Sequence, residues 1–303
     1  MSNPNQAKDG LKVGFIGLGR MGQGMAHRIF GDGHDLVVYD VIRAQTAELA
    51  AAGVRVASSV AEVSGGRDIV ITMLAEDAIL KDVVLGAGGI RGSAPAGAIH
   101  LAMGTHGVAT IRALAAAHAE SNQTLVAAPV LGRPDLAATG QLGIVAAGPP
   151  EAVRRCDTLF QILGRQTVQA GVKPEAALAI KLANNLVLGC AIEAMAEAFS
   201  LVRKYGVAPQ VFYDVMTEGL FSAPAYKVYG KLMVDDAYDR AGFTTLLGLK
   251  DMNLILAAGD DARVPLPSGN AFRDRLLGAI AHGEGEKDWA VVAREQGRAS
   301  GLD

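Results

Sequence analysis

Residues 13–26 read VGFIGLGRMGQGMA, and this stretch decides the fold. A β-type run, VGFI, leads straight into Gly17, Gly19 and Gly22, and a helical pattern begins among them. A second β-type run ends in Asp40. A glycine motif alone matches by chance often; the strand before it, the helix after it and the acid at the next strand end give it context. Gly17 permits the tight turn, Gly19 lets the backbone approach a pyrophosphate, and Gly22 lets helix pack closely on strand. The helix N-terminus then faces the phosphates. Gly17, Leu18, Gly19, Arg20, Met21 and Gly22 are therefore the candidate dinucleotide-binding turn. Asp40 is the candidate acceptor for the hydroxyls of an adenosine ribose. A carboxylate there repels the 2′-phosphate of NADP and favours NAD. Arg43, three residues on, could swing toward a phosphate, so NADP stays open.

Outward from this turn, short apolar runs alternate with helical patterns. Candidate strands are 13–17, 36–40, 69–74, 98–102, 124–128 and 142–147. Candidate helices are 21–30, 44–52, 109–118 and 151–163. Alternation of this kind implies parallel strands with crossover helices, a doubly wound Rossmann-type α/β sheet. Runs such as DIVITML are apolar throughout, as expected of strands covered on both faces. After Gly171 the texture changes. One uninterrupted helical pattern runs from Pro174 to Lys204, apolar on most sides, which suggests burial between domains or subunits. Further helices are expected at 209–217, 224–231, 247–258 and 269–281. The chain therefore reads as a dinucleotide-binding domain over 1–172 and an all-helical domain over 173–303, opened by the long linking helix 174–204.

Composition narrows the function classes. The chain has 303 residues, enough for two domains, and is 50% hydrophobic. A net charge of −3 without a basic block argues against nucleic acid as a partner. Cys156 and Cys190 are far apart and lack metal-ligand spacing, which fits a reducing cytoplasm and no metal site. The N-terminal MSNPNQAKDG is polar and lacks an apolar signal region. No stretch is expected to reach the length that spans a membrane.

The long helix carries an unusual pair. Lys181 and Asn185, in KLANNLVLG, lie one turn apart on one face among aliphatic residues. Burying an ammonium there is costly unless it has partners or a task, and desolvation would lower its pKa into the range useful for proton transfer. The alternative is a lysine that snorkels to the surface beside an asparagine bonded to a neighbouring loop.

Four stretches come in a known order: GFIGLGRMGQGMA, APVLGRPDLAATGQL, KLANN and LGLKDMNLIL. In this the chain resembles the β-hydroxyacid dehydrogenases over nearly its whole length. That family includes 3-hydroxyisobutyrate dehydrogenases and glyoxylate/succinic semialdehyde reductases, with imine reductases as distant relatives. The resemblance implies an NAD(P)-dependent oxidoreductase acting on a small substrate of the 3-hydroxy acid or semialdehyde type, assembled as a homodimer or homotetramer. It implies that Lys181 is the general acid/base and that Asn185 orients the substrate. It implies that Lys250 lies near the nicotinamide and its ribose, that Thr105 matches the threonine of an ST motif contacting the cofactor, and that Leu74 packs against the cofactor.

One motif departs. The family pattern DxPVSGG, whose serine and glycines bind a substrate carboxylate, reads AAPVLGR here, with Ala127, Leu131 and Arg133 replacing acid, serine and second glycine. The glycines that usually precede the lysine by four and six residues are Ala177 and Glu175. Leu131, Gly132 and Arg133 thus form a rebuilt substrate loop. Either Arg133 takes over the anion, or Leu131 makes the site apolar for a substrate without a carboxylate. Imine reduction and a non-catalytic NAD(P)-sensing module are the alternatives. His100 and His106 are read as packed or loop residues, with contact to substrate open for His106. Glu193, Glu197, Tyr226, Tyr229 and Trp289 are read as packing residues.

Overall fold

The computed structural model describes residues 10–302. The polar N-terminal stretch, apart from Gly10, lies outside the described residues. Two compact units are present, one ending at Lys181 and the other starting at Leu182. The first contains β1 (Lys12–Ile16), α1 (Arg20–Gly31), β2 (Asp35–Tyr39), α2 (Ala47–Ala51), β3 (Arg55–Val56), α3 (Val60–Ser64), β4 (Ile69–Thr72), α4 (Asp77–Leu85), α5 (Ile90–Ser93), β5 (Ile99–Ala102), α6 (Val108–Glu120), β6 (Thr124–Ala127), β7 (Val130–Leu131), α7 (Pro134–Thr139), β8 (Leu142–Ala147), α8 (Pro150–Arg155), α9 (Asp157–Leu163) and β9 (Gly164–Gly171). Helix α10 (Glu175–Lys204) begins in this unit and continues into the second, which adds α11 (Pro209–Glu218), α12 (Pro224–Asp235), α13 (Thr245–Ala262), α14 (Pro267–Ala281) and α15 (Val292–Ala299).

The sheet order is β3-β2-β1-β4-β5-β6-β8-β7, with β9 on β8. Its first six strands follow the order of a doubly wound dinucleotide-binding sheet, and the strand order switches between the parallel neighbours β1 and β4. Two-residue periodicity explains the apolar runs. Val13, Phe15, Val38, Ile69, Ile71, Ile99 and Leu101 join one buried cluster. Their neighbours Ile16, Val37, Val70 and Ala102 join another. Both faces of each strand are therefore covered by helices.

Several expectations need correction. Residues 142–147 form a strand, but β8 runs antiparallel to β6 and β7. Strand β7 intervenes, and the connection 132–141 from β7 to β8 is shorter than the dozen or more residues that a parallel crossover needs. The helix expected at 151–163 is two helices, broken at the buried Cys156, whose N–H bonds to the Val153 carbonyl. Strand β9 was not expected because its sequence, GRQTVQAG, is polar and largely exposed, as suits an edge. The expectation about membrane-length segments fails for α10. This helix is long and apolar enough to cross a membrane by length and composition, with a window of mean hydropathy 1.5. That test is also passed by the core helices of globular proteins, and α10 carries Lys181, Asn184, Asn185 and Glu193 along its length.

In the helical unit Trp289 is buried and meets Phe243, Phe272 and Tyr229 edge-on at 4.9, 5.7 and 6.1 Å. Glu193 on α10 pairs with Arg275 on α14 at 2.9 Å. Both groups serve packing, while Val187 and Leu201 leave α10 with exposed aliphatic side chains.

Candidate active site

The three glycines after β1 stand in three different surroundings. Gly17 has φ +96°, and a Cβ there would lie 2.5 Å from the Met73 carbonyl oxygen. A Cβ on Gly22 would lie 1.9 Å from the Gly17 oxygen, so only glycine lets α1 start against the turn. At Gly19 a Cβ would meet nothing within 4 Å. The fold itself does not need glycine there, and the open space leaves the backbone accessible. Gly19 also caps α1 without a side-chain hydrogen bond, leaving first-turn amides for an anion. Asp40 follows β2 and is braced by backbone. Its Oδ2 accepts from the Leu18 N–H at 2.6 Å and its Oδ1 from the Ile42 N–H at 2.8 Å. The carboxylate is thereby fixed beside the turn with lone pairs left for ribose hydroxyls. The turn and Asp40 fit a dinucleotide.

The ends of β4 and β5 form a second cluster, organised by Asp77, which the sequence reading passed over. The Asp77 carboxylate takes hydrogen bonds from Thr110 Oγ1 (2.6 Å), from the Gly107 N–H (3.2 Å) and from His106 Nδ1 (3.0 Å). Burial alone would raise this carboxyl; the donors from His106, Thr110 and Gly107 outweigh it and hold it at about 2. His106 is fully buried, and Thr105 beside it is half-buried. Deeper in the sheet, a relay runs from Thr72 Oγ1 to His100 Nε2 (2.9 Å), from His100 Nδ1 to His118 Nε2 (2.9 Å), and from His118 Nδ1 to Gln123 Oε1 (2.8 Å). Gln123 donates its Nε2 hydrogens to the Arg91 and Ala94 carbonyls, which fixes its oxygen as the acceptor. Each later proton then has one place: His118 donates from Nδ1, His100 from Nδ1, and Thr72 from its hydroxyl. Burial pushes both imidazoles toward the neutral form.

In the helical unit, Asn185 is buried and its Nδ2 donates to Asp251 Oδ2 at 2.7 Å. Asp251 Oδ1 lies 2.8 Å from Lys250 Nζ. One almost fully buried carboxylate on α13 thus holds two candidate site residues. Asp251 was not singled out from sequence; its only signal was its place next to Lys250. Lys181, one turn before Asn185 on α10, is half-buried, and Ala177, Leu178 and Leu182 around it are buried.

Known proteins resemble this chain in sequence and fold. The family model described as the NAD binding domain of 6-phosphogluconate dehydrogenase matches residues 12–171. The one described as NAD-binding of NADP-dependent 3-hydroxyisobutyrate dehydrogenase matches residues 176–295. The oxidoreductase YfjR of Bacillus subtilis, itself uncharacterized, is 37% identical over 94% of this chain and 99% of its own. The chain belongs to the β-hydroxyacid dehydrogenase family. A 3-hydroxyisobutyrate dehydrogenase of Mycobacterium tuberculosis, solved with L-serine, superposes with TM-score 0.86 at 26% identity, covering 94% of this chain and 99% of that one. An imine reductase from Pseudomonas, at 19% identity and TM-score 0.60, covers 94% of this chain and 99% of that one and shares the fold alone. As a member of this family, the protein is an NAD(P)-dependent oxidoreductase.

Within the family pattern the rebuilt loop has clear local causes. Ala127 is buried and ends β6. Leu131 closes β7, pairs with Gly143 and packs its half-buried side chain on the core. Gly132, at φ +147°, holds a backbone conformation that favours glycine, and a Cβ there would press on the end of the Leu142 side chain at 2.9 Å. Arg133 caps α7 and is half-buried, with no side-chain hydrogen bond or ion pair among the described residues. Ala177 fills the buried core, and Glu175 pairs with Arg112 at 3.4 Å. Burial raises the Cys156 thiol to about 12 and also raises Cys190, so neither offers a thiolate near neutral pH.

Proposed function

We propose that this family member moves a hydride between nicotinamide and the carbonyl or hydroxyl carbon of a small substrate of the 3-hydroxy acid or semialdehyde type, with Lys181 as general acid/base. The observation that carries the reading is the knot of Asn185, Asp251 and Lys250, one helical turn beyond Lys181. One Nδ2 hydrogen of Asn185 goes to Asp251 and its Oδ1 accepts from Asn184 Nδ2 at 3.4 Å, so one N–H and one lone pair are left for a substrate's polar group. Lys181 hands a proton to the substrate oxygen during reduction and takes it back during oxidation. The cofactor, when bound, supplies or accepts the hydride. Gly17 to Gly22 and Asp40 hold its adenosine and pyrophosphate, while Leu74, Thr105 and Lys250 serve its nicotinamide side. Asp40 favours NAD over NADP.

Arg133, a cation with no partner among the described residues, supports a carboxylate-bearing substrate. A second reading rests on Leu131: an apolar side chain where the family uses serine suits an aldehyde, ketone or imine without a carboxylate. Assignment to the cytoplasm rests on the two separated cysteines, and a homodimer or homotetramer on the exposed aliphatic residues of α10.

The test is Lys181→Ala, assayed by NADH and NADPH absorbance against small aldehydes, 2- and 3-oxo acids and cyclic imines. The expected result is a loss of orders of magnitude in kcat with NADH binding retained. Undiminished turnover refutes the lysine's role. Turnover confined to carboxylate-bearing substrates supports the Arg133 reading, and turnover confined to imines supports the second. Tight cofactor binding with no turnover of any compound by the unaltered protein replaces both with a sensing module.

A further inference from the structure

We propose that Asp77 is a positioning residue for the nicotinamide half of the cofactor, because it ties the loop after β4 to the loop after β5. The inference rests on the cofactor reading above.

Asp77 is the first residue of α4, yet its carboxylate does not serve its own helix. It reaches the start of α6, where Gly107 occupies the cap position and has no side chain to do the work. There Asp77 takes the N–H of the cap residue Gly107, the donor that the N3 side chain of a capping box would take, together with the Thr110 hydroxyl, but from 30 residues away. Its charge also sits favourably at the helix N-terminus. A cap supplied by α6 itself would fasten that helix only to its own loop. A cap supplied from α4 fixes the two loops relative to one another.

His106 completes the tie. Its Nδ1 meets Asp77 Oδ1 at 3.0 Å, and its ring is fully buried. The ring fills the space beside Gly104, where a Cβ would lie 2.6 Å from His106 Nε2 and 2.3 Å from the Leu74 carbonyl oxygen. Leu74, Gly104 and His106 are therefore packed without slack, and Thr105 is held from both sides. Sheet order gives this a direction. The glycine turn and Asp40 lie at the ends of β1 and β2, where the adenosine half sits; β4 and β5 lie across the switch point from them. A tie between the β4 and β5 loops acts on the other half.

The experiment compares two ligands on the full-length chain. NADH spans both halves, and ADP-ribose lacks the nicotinamide. Dissociation constants are measured by titration calorimetry for the unaltered protein, Asp77→Ala and Asp77→Asn. Asp77→Ala is expected to weaken NADH at least tenfold and ADP-ribose less than twofold. Asp77→Asn keeps one acceptor for Gly107 and should weaken NADH about threefold, again sparing ADP-ribose. Equal weakening of both ligands would mark general damage to the sheet unit and overturn the proposal, as would unchanged NADH affinity. If Asp77→Ala does not fold, the NADH to ADP-ribose ratio of Asp77→Asn decides by the same criteria. Failure of the unaltered protein to bind NADH would instead remove the cofactor reading, and this inference with it.

Discussion

The glycine turn after β1 and the polar knot of the helical unit are built by opposite means. The turn uses backbone: amides at the start of α1, a positive φ at Gly17, and the absence of a Cβ at Gly22. The knot uses side chains, and its working groups are held by another side chain, Asp251. The turn is made of backbone, so an atom added at Gly17 or Gly22 is ruinous to it. The knot can be taken apart one group at a time. The two regions should therefore fail differently when altered.

The largest effect is expected at the turn. Gly22→Ala would force a Cβ to 1.9 Å from the Gly17 oxygen, and the turn must open. NAD(H) binding should fall more than a hundredfold, and stability by roughly 3 kcal/mol or more, as for other forced overpacking. Gly19→Ala separates ligand from fold, since its Cβ meets no protein atom within 4 Å. It should leave the melting temperature unchanged and still weaken NAD(H) at least tenfold. Normal cofactor binding by Gly19→Ala, measured by titration, would mean that the open space there is not the phosphate seat.

The same contrast explains what could be read from the chain. Gly17, Gly22 and Asp40 were legible because geometry leaves few residue types able to do their work. The alternating units were legible because two faces of covered strand leave a continuous apolar run. The turn of β8 was not, because the two-residue strand β7, on which β8 folds back, is too short to stand out as a strand. Lys181 and Asn185 stood out as polar groups in an apolar helix. Asp251 and Asp77 did not, because an aspartate on a helix is ordinary in sequence; only the fold shows that one faces Asn185 and the other caps a helix 30 residues away. Arg133 was visible as a departure, and the structure adds that its guanidinium has no partner among the described residues.

A smaller effect is expected when the knot is loosened. Asp251→Leu removes the acceptor of Asn185 and the counter-charge of Lys250. Breaking a buried pair by deleting one partner costs roughly 3 kcal/mol, here tempered because Lys250 is partly exposed and reaches water. If Asp251 orients Asn185, kcat should drop about a hundredfold while NADH affinity changes little, because the turn is untouched. A loss of NADH affinity equal to the loss in kcat would show that the two regions are not separable. Chemical denaturation alongside single-turnover kinetics reads both quantities.

The smallest effect tests pH, which a backbone turn cannot feel and a side-chain network must. His100 and His118 are neutral in the folded sheet because burial, foremost, lowers their pKa values below the usual 6.5. Below pH 6.5 the unfolded chain therefore binds more protons than the folded one, and stability falls as pH falls; above it their contribution is constant. The slope is roughly 1.4 kcal/mol per pH unit for each histidine that stays neutral. Asp77 acts in a separate window. Its pKa, lowered from 3.8 to about 2, adds stability that is complete above 3.8 and is lost only as pH falls toward 2. Urea denaturation at pH 7.5 and 5.5 should thus report the relay and not the Asp77 tie. His118→Gln keeps a hydrogen-bonding side chain while removing one titrating group, and should make the drop between the two pH values smaller by roughly 1 kcal/mol. An unchanged drop would mean that His118 takes up its proton without leaving the relay, and that this network tolerates charge where its buried geometry says it should not.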